Sequence, residues 1–489
     1  MFWNKNKIIN YITKNVIVNH KKVFLHELTM KFYVLTFFIL LKLWMIFGRG
    51  VGFTKNDSPG VSTPKLTKCY VIQFILNTIF SAKLSYKVGG KLISLGEGMP
   101  NETLFPFQEI NIHLKDGTDI CLKDAELANA LQYIPSQGLP RLVKLLKEFQ
   151  LCMHDPPDWS QRDMIITSGS QNGIYKSIEM LVNRGDPVLV SSPLYSGTDI
   201  IMKPYEPILL EVKQDKYGLN PEHLRNVLEK RRQNSYTMPK VMYVNATGNN
   251  PTGTVIPNSR RQEIYDISCE YDLIILEDDP YHFMCFTEEE PKSFMSYDVE
   301  GRVLRFDSLS KVLSSGLRLG WVTGPTPLID IMELHMQASY LHSSTLTQVS
   351  SLLFLQSYSG NHLDEVKEFY LHKRNFLMAS MTKHLTGLAE WEVPEAGMFV
   401  WIRVKDVPDI YNMIVRKAFD KGVTFAPGHA FNVSSSAPCP YIRATYSRAT
   451  PEDMEEACIR LADLIREEQK EYRDTRQRIM SRHPAGHFV

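Results

Sequence analysis

The stretch MIITSGSQNGIYKSIEMLVN (164–183) decides how this chain folds. MIIT is a short β-rich apolar run, SGS is a small-residue turn, and SQNGIYKSIEMLVN reads as a helix. The same unit recurs outward from it. PVLVSSP (187–193), VMYVNAT (241–247), LIILEDD (273–279) and VLRFDS (303–308) are further β-rich runs, several ending in polar or turn residues. Helical segments lie between several of them. In RRQEIYDISCEYD (260–272), Ile264, Ile267 and Tyr271 fall on one apolar stripe. Strands that are continuously apolar, alternating with helices, imply an α/β fold with a buried sheet. Ligands of such sheets bind beyond the polar strand ends.

Composition narrows the class. The chain has 489 residues, 44% of them hydrophobic, with 55 Lys and Arg against 54 Asp and Glu. That length predicts about three folding units with a large core. Disorder, collagen and coiled coil are excluded, and the near-zero net charge gives no reason to expect nucleic acid. The seven cysteines are scattered, without a C-x-x-C pair, which argues against a disulfide framework or a thiolate zinc site and for a reducing compartment.

The two ends differ from the middle. Residues 1–50 are rich in Lys, Asn, Ile and Phe, with Glu27 the one acid, and contain the apolar run MKFYVLTFFILLKLWMIF (30–47). Three readings stay open for this segment. As a membrane anchor it is barely long enough and carries Lys42; as a secretory signal its leader is long and no A-x-A site follows; as a mitochondrial presequence it is basic but Lys-rich rather than Arg-rich. At the other end, residues 467–489 form a highly charged tail that reads as a solvated helix extension.

Five motifs sit at the strand ends. TSGSQNG (167–173) passes from strand to helix, so Ser170 and Gln171 would lie at or near the N-cap, where exposed N–H groups suit an anion such as phosphate. NNPTG (249–253) is an Asn-Pro turn that would hold the amide of Asn250 toward a ligand oxygen. LIILEDDPYHF (273–283) carries carboxylates toward the ligand end, with Tyr281 three residues beyond Asp278. No ligand cluster completes a metal shell around them, and an Asp fixed beside a cationic nitrogen would keep that nitrogen protonated. DSLSKVLSSGLRLGW (307–321) offers Lys311 as an amine nucleophile and Arg318 as an anion ligand. PYIRATYS (440–447) puts Arg443 in a strand, able to grip a carboxylate through two hydrogen bonds. Each motif alone has an ordinary structural explanation: a cap, a turn, a solvated lysine, a surface arginine. Together they supply a phosphate cradle, a carboxylate, two hydrogen-bond donors, one amine and an arginine, the set that pyridoxal phosphate requires.

The order S-G-S-Q, N-N-P-T-G, D-D-P-Y, S-L-S-K, G-L-R-L-G and Y-I-R resembles the fold-type-I pyridoxal-phosphate aminotransferases. GEGMPNETLFPF (96–107), ALQYIPSQGLPRL (130–142), SSPLYSGT (191–198) and TGLAEWEVPEAGMFVWI (386–402) look more narrowly like the mitochondrial branch acting on kynurenine and 2-aminoadipate. The likeness covers residues 91–466. It implies a large cofactor domain of about 135–345, with a mixed, mostly parallel sheet between helices, and a smaller α/β domain from about 91–134 and 346–466. It further implies that Lys311 is the Schiff-base lysine, that Asp278 pairs with the ring nitrogen, and that Asn250 and Tyr281 face the phenolic oxygen. Tyr195 would stack on the ring. Ser170, Gln171, Ser308, Ser310 and Arg318 would line the phosphate site, and Tyr133 would reach the phosphate of a second subunit in a homodimer. Arg443, Asn250 and Gly98 would contact the amino acid. The implied reaction is ping-pong transamination with 2-oxoglutarate in the mitochondrial matrix; the alternatives are a cytoplasmic location, and a C–S or ring-closing lyase using the same cofactor.

Two departures accompany the resemblance. Glu97 stands where relatives carry a small residue, and a carboxylate there would repel a dicarboxylic amino acid. Residues 41–90 do not match the family's amino-terminal arm, so residues 1–90 read as an atypical extension, and loss of the arm would impair catalysis. An alternative exon or mis-joined frame would account for it, which transcript sequencing across codons 60–95 tests.

Overall fold

A computed structural model describes residues 98–357, 361–433 and 437–482. Glu97, the extension 1–90 with its apolar segment 30–47, and residues 483–489 lie outside the described residues. Among those described, no helix is long and apolar enough to cross a membrane, and the six cysteines are free.

The described chain opens with a hairpin, β1 (Glu109–His113) and β2 (Asp119–Lys123), followed by helix α1 (Asp124–Leu131) and helix α2 (Pro140–His154). The apolar runs then enter one eight-stranded sheet. It contains β3 (Arg162–Thr167), β4 (Pro187–Ser192), β5 (Ile208–Asp215), β6 (Gly218–Leu219), β7 (Val241–Asn245), β8 (Ile274–Asp278), β9 (Val303–Ser308) and β10 (Gly320–Pro325). The spatial order is β3-β10-β9-β8-β7-β4-β5-β6. The run from β9 through β8, β7 and β4 to β5 is parallel; β10 pairs antiparallel with both β9 and β3. Parallel neighbours need crossovers. Helices α4 (Ser196–Met202), α5 (Pro221–Gln233) and α6 (Asn258–Glu270) supply those from β4 to β5, from β6 to β7 and from β7 to β8; short 3-10 turns (His282–Met284 and Phe294–Tyr297) lie between β8 and β9, and α3 (Ser170–Leu181) links β3 to β4.

Period-2 alternation in β7 explains the layering. Tyr243 faces one side, packing with Leu276, Phe306 and the helix residues Ile174 and Ile178. Met242 and Val244 face the other, packing with Ile275, Val303, Leu224, Leu228, Ile264 and Ile267. A fully buried side chain of this kind contributes roughly 1.5–3 kcal/mol by leaving water, so both faces need helical cover. Gly173 lets α3 lie directly on the sheet: a Cβ there would meet Val322 at 2.6 Å and Phe306 at 3.0 Å. Gly173→Val should lift this helix off the sheet.

Helices α7 (Thr326–Ser339), α8 (Thr345–Ser357) and α9 (His362–Leu385) lead to a second sheet. Its strands, β11 (Ala389–Trp391), β12 (Phe399–Val404), β13 (Ala426–Pro427) and β14 (Tyr441–Thr445), are antiparallel in the order β11-β12-β14-β13. Helix α10 (Pro451–Arg482) and α9 cover it, with Leu377, Met381, Leu461 and Ile465 packed on Val400, Ile402 and Ile442. Helix α10 runs well into the charged tail; residues 471–478 are all exposed. The hairpin and α1 pack instead on α8, through Leu122, Leu127, Ala130 and Val349.

The two sheets meet where β8 ends. Tyr281 and Met284, just beyond β8, are part of the core of the second sheet. The backbones touch at Gly248 and Gly397, both at positive φ; a Cβ on Gly248 would come within 2.8 Å of the nitrogen of Gly397. The crevice so formed lies at the carboxyl ends of β7 and β8, and the site is there.

Candidate active site

Strand register assembles the site. Asn245, Asp278 and Phe306 are direct neighbours across β7, β8 and β9, so the ends of these strands are level. Asp278 is buried. Its Oδ2 accepts a hydrogen bond from the Tyr243 hydroxyl at 2.7 Å, and its backbone carbonyl accepts one from Asn245 Nδ2 at 2.6 Å. Its Oδ1 has no hydrogen-bond partner among the described residues. Burial, only partly offset by the Tyr243 hydrogen bond, pushes its pKa up to about 7.

The three acids of LEDD do not act together. Glu277 points to the opposite face of β8, where Arg305 and Arg261 and the N–H of Phe294 engage it. Asp279 pairs with Arg305 at 3.0 Å and His282 at 3.4 Å. The sequence-based expectation that the motif carries its carboxylates to the ligand end therefore holds for Asp278, while Glu277 and Asp279 are consumed internally. The reason is the alternation of a strand, which cannot point successive side chains the same way. Among the described residues no group of His, Cys, Asp and Glu is arranged to hold a metal ion.

Around Asp278 stand the other predicted residues. Tyr281 is buried, edge-on to Phe399, with the Lys311 amine 6.0 Å from its ring centre. Burial, with Asp278 nearby, raises the Tyr281 and Tyr195 phenols above their ordinary range, so both remain neutral donors. Lys311 is held below the usual range for an amine, first by burial and then by the positive charges of Arg318 and Arg443. Asn250 is fixed from its backbone: its N–H donates to Asn245 Oδ1 at 2.7 Å, and its side-chain Oδ1 accepts from Arg443 at 2.9 Å. The Arg443 guanidinium lies 4.3 Å from the ring centre of Phe399 and 4.9 Å from that of Phe431. These aromatic walls fix its direction, and its Nε is buried without a partner among the described residues.

A second cluster joins the turn between β3 and α3. The N-cap of α3 is Gly169, at φ +80°, so Ser170 and Gln171 are its first two helical residues. Their N–H groups belong to the first turn, which has no intrahelical acceptors. Arg318 donates to the carbonyl of Ser168 at 3.2 Å and to Ser310 Oγ at 3.3 Å; Ser308 and Ser310 hydroxyls bond each other at 2.9 Å. A Cβ on Gly169 would collide with Arg318 at 2.6 Å, so the glycine makes this approach. Gln171 is the exception in this group: its side chain donates to the carbonyl of Gly197 at 3.1 Å.

Tyr133 and Gly98 stand apart. Tyr133 is 53% exposed, its ring against His342, and no described residue lies within 4 Å of a Cβ placed on Gly98. No described contact joins either to Lys311 or Asp278. Sequence reasoning missed Tyr243, Asn245, Phe399 and Phe431, which orient Asp278, Asn250 and Arg443. Alternation in VMYVNAT puts Tyr243 and Asn245 on one face, but only strand register shows that Asp278 shares it.

The profile of the family "Aminotransferase class I and II" matches residues 94–461. The chain belongs to that family. Kynurenine/alpha-aminoadipate aminotransferases described as mitochondrial are 43% identical over 396 residues in Bos taurus (78% of this chain, 93% of the relative) and 41% over 402 residues in Mus musculus (79% and 95%). Among solved structures, a kynurenine aminotransferase of Pyrococcus horikoshii in complex with PMP superposes with a TM-score of 0.67 at 29% identity, covering 70% of this chain and 84% of the other. The aminotransferase Aro8 of Candida albicans gives 0.71 at 25%, covering 79% and 94%. This aminotransferase is thus a pyridoxal-phosphate-dependent transaminase with the fold-type-I architecture.

The residues present fit that cofactor. A buried carboxylate with one bare oxygen suits a cationic N–H donor, and a turn with free helical N–H groups beside Arg318 and two serines suits a phosphate.

Proposed function

We propose that Lys311 carries the cofactor and then serves as the base of an L-amino acid transamination in which 2-oxoglutarate is the acceptor. Asp278 would hold the ring nitrogen through its bare Oδ1, and Asn250 and Tyr281 would donate to the phenolic oxygen. Tyr195 would pack on the ring. Ser170, Gln171, Ser308, Ser310 and Arg318 would hold the phosphate, Gln171 through its backbone N–H. Bound pyridoxal phosphate supplies an electron sink for the pair left when the α-proton is removed. Lys311 Nζ takes that proton; its depressed basicity leaves more of it neutral at physiological pH, as a general base must be. Arg443 Nε and Nη grip the α-carboxylate of the amino acid, and the aromatic walls on either side exclude water from that pair.

The observation that carries this reading is the lack of ion pairing: Lys311 feels the charges of both Asp278 and Arg443, yet none of the three forms an ion pair with a described residue. Borohydride reduction of the holoenzyme followed by peptide mapping should label Lys311; a label elsewhere, or none, refutes the assignment.

The amino donors are 2-aminoadipate and kynurenine, supported by identities of 41–43% across nearly the whole length of relatives that bear those names. A screen of aminoadipate, kynurenine, methionine and aromatic amino acids against 2-oxoglutarate tests this; turnover of neither aminoadipate nor kynurenine refutes it. The enzyme works as a homodimer in the mitochondrial matrix, in which exposed Tyr133 reaches the second subunit's phosphate site and Gly98 lies beside the substrate. Support for this arrangement comes from the exposure of Tyr133 and from the Gln132–Pro100 hydrogen bond, which ties the segment after Gly98 to the Tyr133 turn. The chain divides into a large cofactor-binding domain of about 135–345 and a smaller domain of about 91–134 and 346–466 that contains the second sheet.

A further inference from the structure

We infer that Tyr243 is a positioning residue for the ring-nitrogen partner: its hydroxyl fixes the Asp278 carboxylate so that one oxygen is occupied and the other stays free for the cofactor's cationic nitrogen. This rests on the assignment of Asp278 proposed above.

Tyr243 is 1% exposed and sits in the middle of the parallel sheet, where its ring packs with Leu276 and Phe306. Phenylalanine would fill that volume equally well, so packing does not explain the hydroxyl. What the hydroxyl does is donate to Asp278 Oδ2 at 2.7 Å. The phenol stays protonated at every physiological pH, because burial and then the Asp278 charge push its acidity far out of range, so the donor is permanent. Asn245, two residues on and on the same face, holds the Asp278 carbonyl at 2.6 Å. Side chain and backbone of Asp278 are thus both pinned, and rotation of the carboxylate would break the Tyr243 bond. A neutral donor is suited to this task. It favours the ionised carboxylate without offering a charge that would compete with the ring nitrogen.

Without the hydroxyl, Asp278 would hold its proton to higher pH and give up part of its grip on the ring cation. Tyr243→Phe should lower kcat about 10- to 100-fold, the range expected for a lost supporting hydrogen bond, with KM nearly unchanged. The direct readout is the pyridine nitrogen resonance of 15N-labelled cofactor in the holoenzyme. It should stay at the protonated position across neutral pH in the wild type and drift toward the neutral position as pH rises in Tyr243→Phe. Reconstitution with N-methylated cofactor, whose ring charge is fixed, should restore most of the lost rate. In an Asp278→Asn background, Tyr243→Phe should cause little further loss. A resonance that does not move, no rescue by the N-methyl cofactor, or a full loss in the Asp278→Asn background overturns the inference. Should the phenylalanine variant not fold, fluorotyrosine at 243 tests the same bond: the stronger donor should move to higher pH the point at which the ring nitrogen loses its proton, and a titration unshifted from the wild type overturns it. An Asp278→Asn enzyme that works at the wild-type rate refutes the Asp278 assignment itself.

Discussion

Asp278 and Asp279 are adjacent in the chain and equally buried, yet they are held in opposite states. Burial, helped by the neighbouring Asp279 and Asp307, pushes the pKa of Asp278 up to about 7, and among the described residues it forms no ion pair. Burial would do the same to Asp279, but Arg305, with His282 and Arg261, outweighs it and holds Asp279 below the ordinary range. Arg305 is itself fully buried among Glu277, Asp279 and Asp307, all within 3.1 Å. One group of charges is closed on itself; the other is left open on the far side of the same strand. The difference teaches how to separate structure from function here. A saturated buried ion cluster supports the fold, whereas buried charges that lack partners define what must come in from solution.

The largest effect that could break this distinction is at Lys311. Lys311→Ala should remove measurable transamination, a loss of several orders of magnitude, with thermal stability hardly changed. Normal turnover by that variant would show that the open group is not the reactive one. The closed group should respond the other way round. Arg305→Met leaves three buried carboxylates without their cation, and breaking such a cluster costs about 3–5 kcal/mol. The variant should unfold several degrees lower, which calorimetry of the holoenzyme measures. If it instead kept its stability and lost only its rate, Arg305 would belong with the reactive set.

That division was only partly legible in the sequence. The alternation of apolar strands with helices gave the α/β layering, since each strand is buried on both faces and must be apolar throughout. Motifs at the strand ends pointed to Lys311, Asn250, Tyr281 and Arg318 and to the acidic run 277–279, and it was the resemblance to the aminotransferases that picked Asp278 out of that run. Which of Glu277, Asp278 and Asp279 faces the crevice could not be read from the local pattern, because it depends on the pairing register of β8 with β7 and β9 and on the position of Arg305, 26 residues beyond Asp279. Tyr243 was hidden for the same reason: in VMYVNAT it looks like one more core aromatic. The walls of Arg443 come from β12 and from the turn after β13, brought together only by the second sheet.

Arg443 sharpens the comparison on a smaller scale. Its guanidinium sits between two aromatic rings and shares one N–H with Asn250, leaving Nε bare. Arg443→Ala should raise KM for both the amino acid and the oxo acid by about 100-fold, as expected for a lost charge-assisted pair of hydrogen bonds, with a lesser effect on kcat. Steady-state kinetics with both substrates measures it. An unchanged KM for the oxo acid would show that the two substrates do not share this arginine.

The smallest expected effect tests the open charge directly, in cofactor-free protein. An Asp that titrates near 7 when folded and near 3.8 when unfolded holds a proton in the folded state that the unfolded chain has already lost between those values. Folding stability therefore falls as pH rises through that window, and the full penalty is present above about 7. Asp278→Asn has no such proton to lose. The variant apoprotein should melt a few degrees above the wild type at about pH 8, and the gap should close as pH approaches about 4, by scanning calorimetry across that range. Asp279→Asn should behave oppositely, because Asp279 is stabilised as the anion by Arg305: its loss should destabilise at neutral pH and matter less in acid. If the two variants follow the same trend, the strand does not separate an open charge from a closed one. If they diverge, the residue that weakens the empty protein is the one that the cation of the cofactor is needed to satisfy.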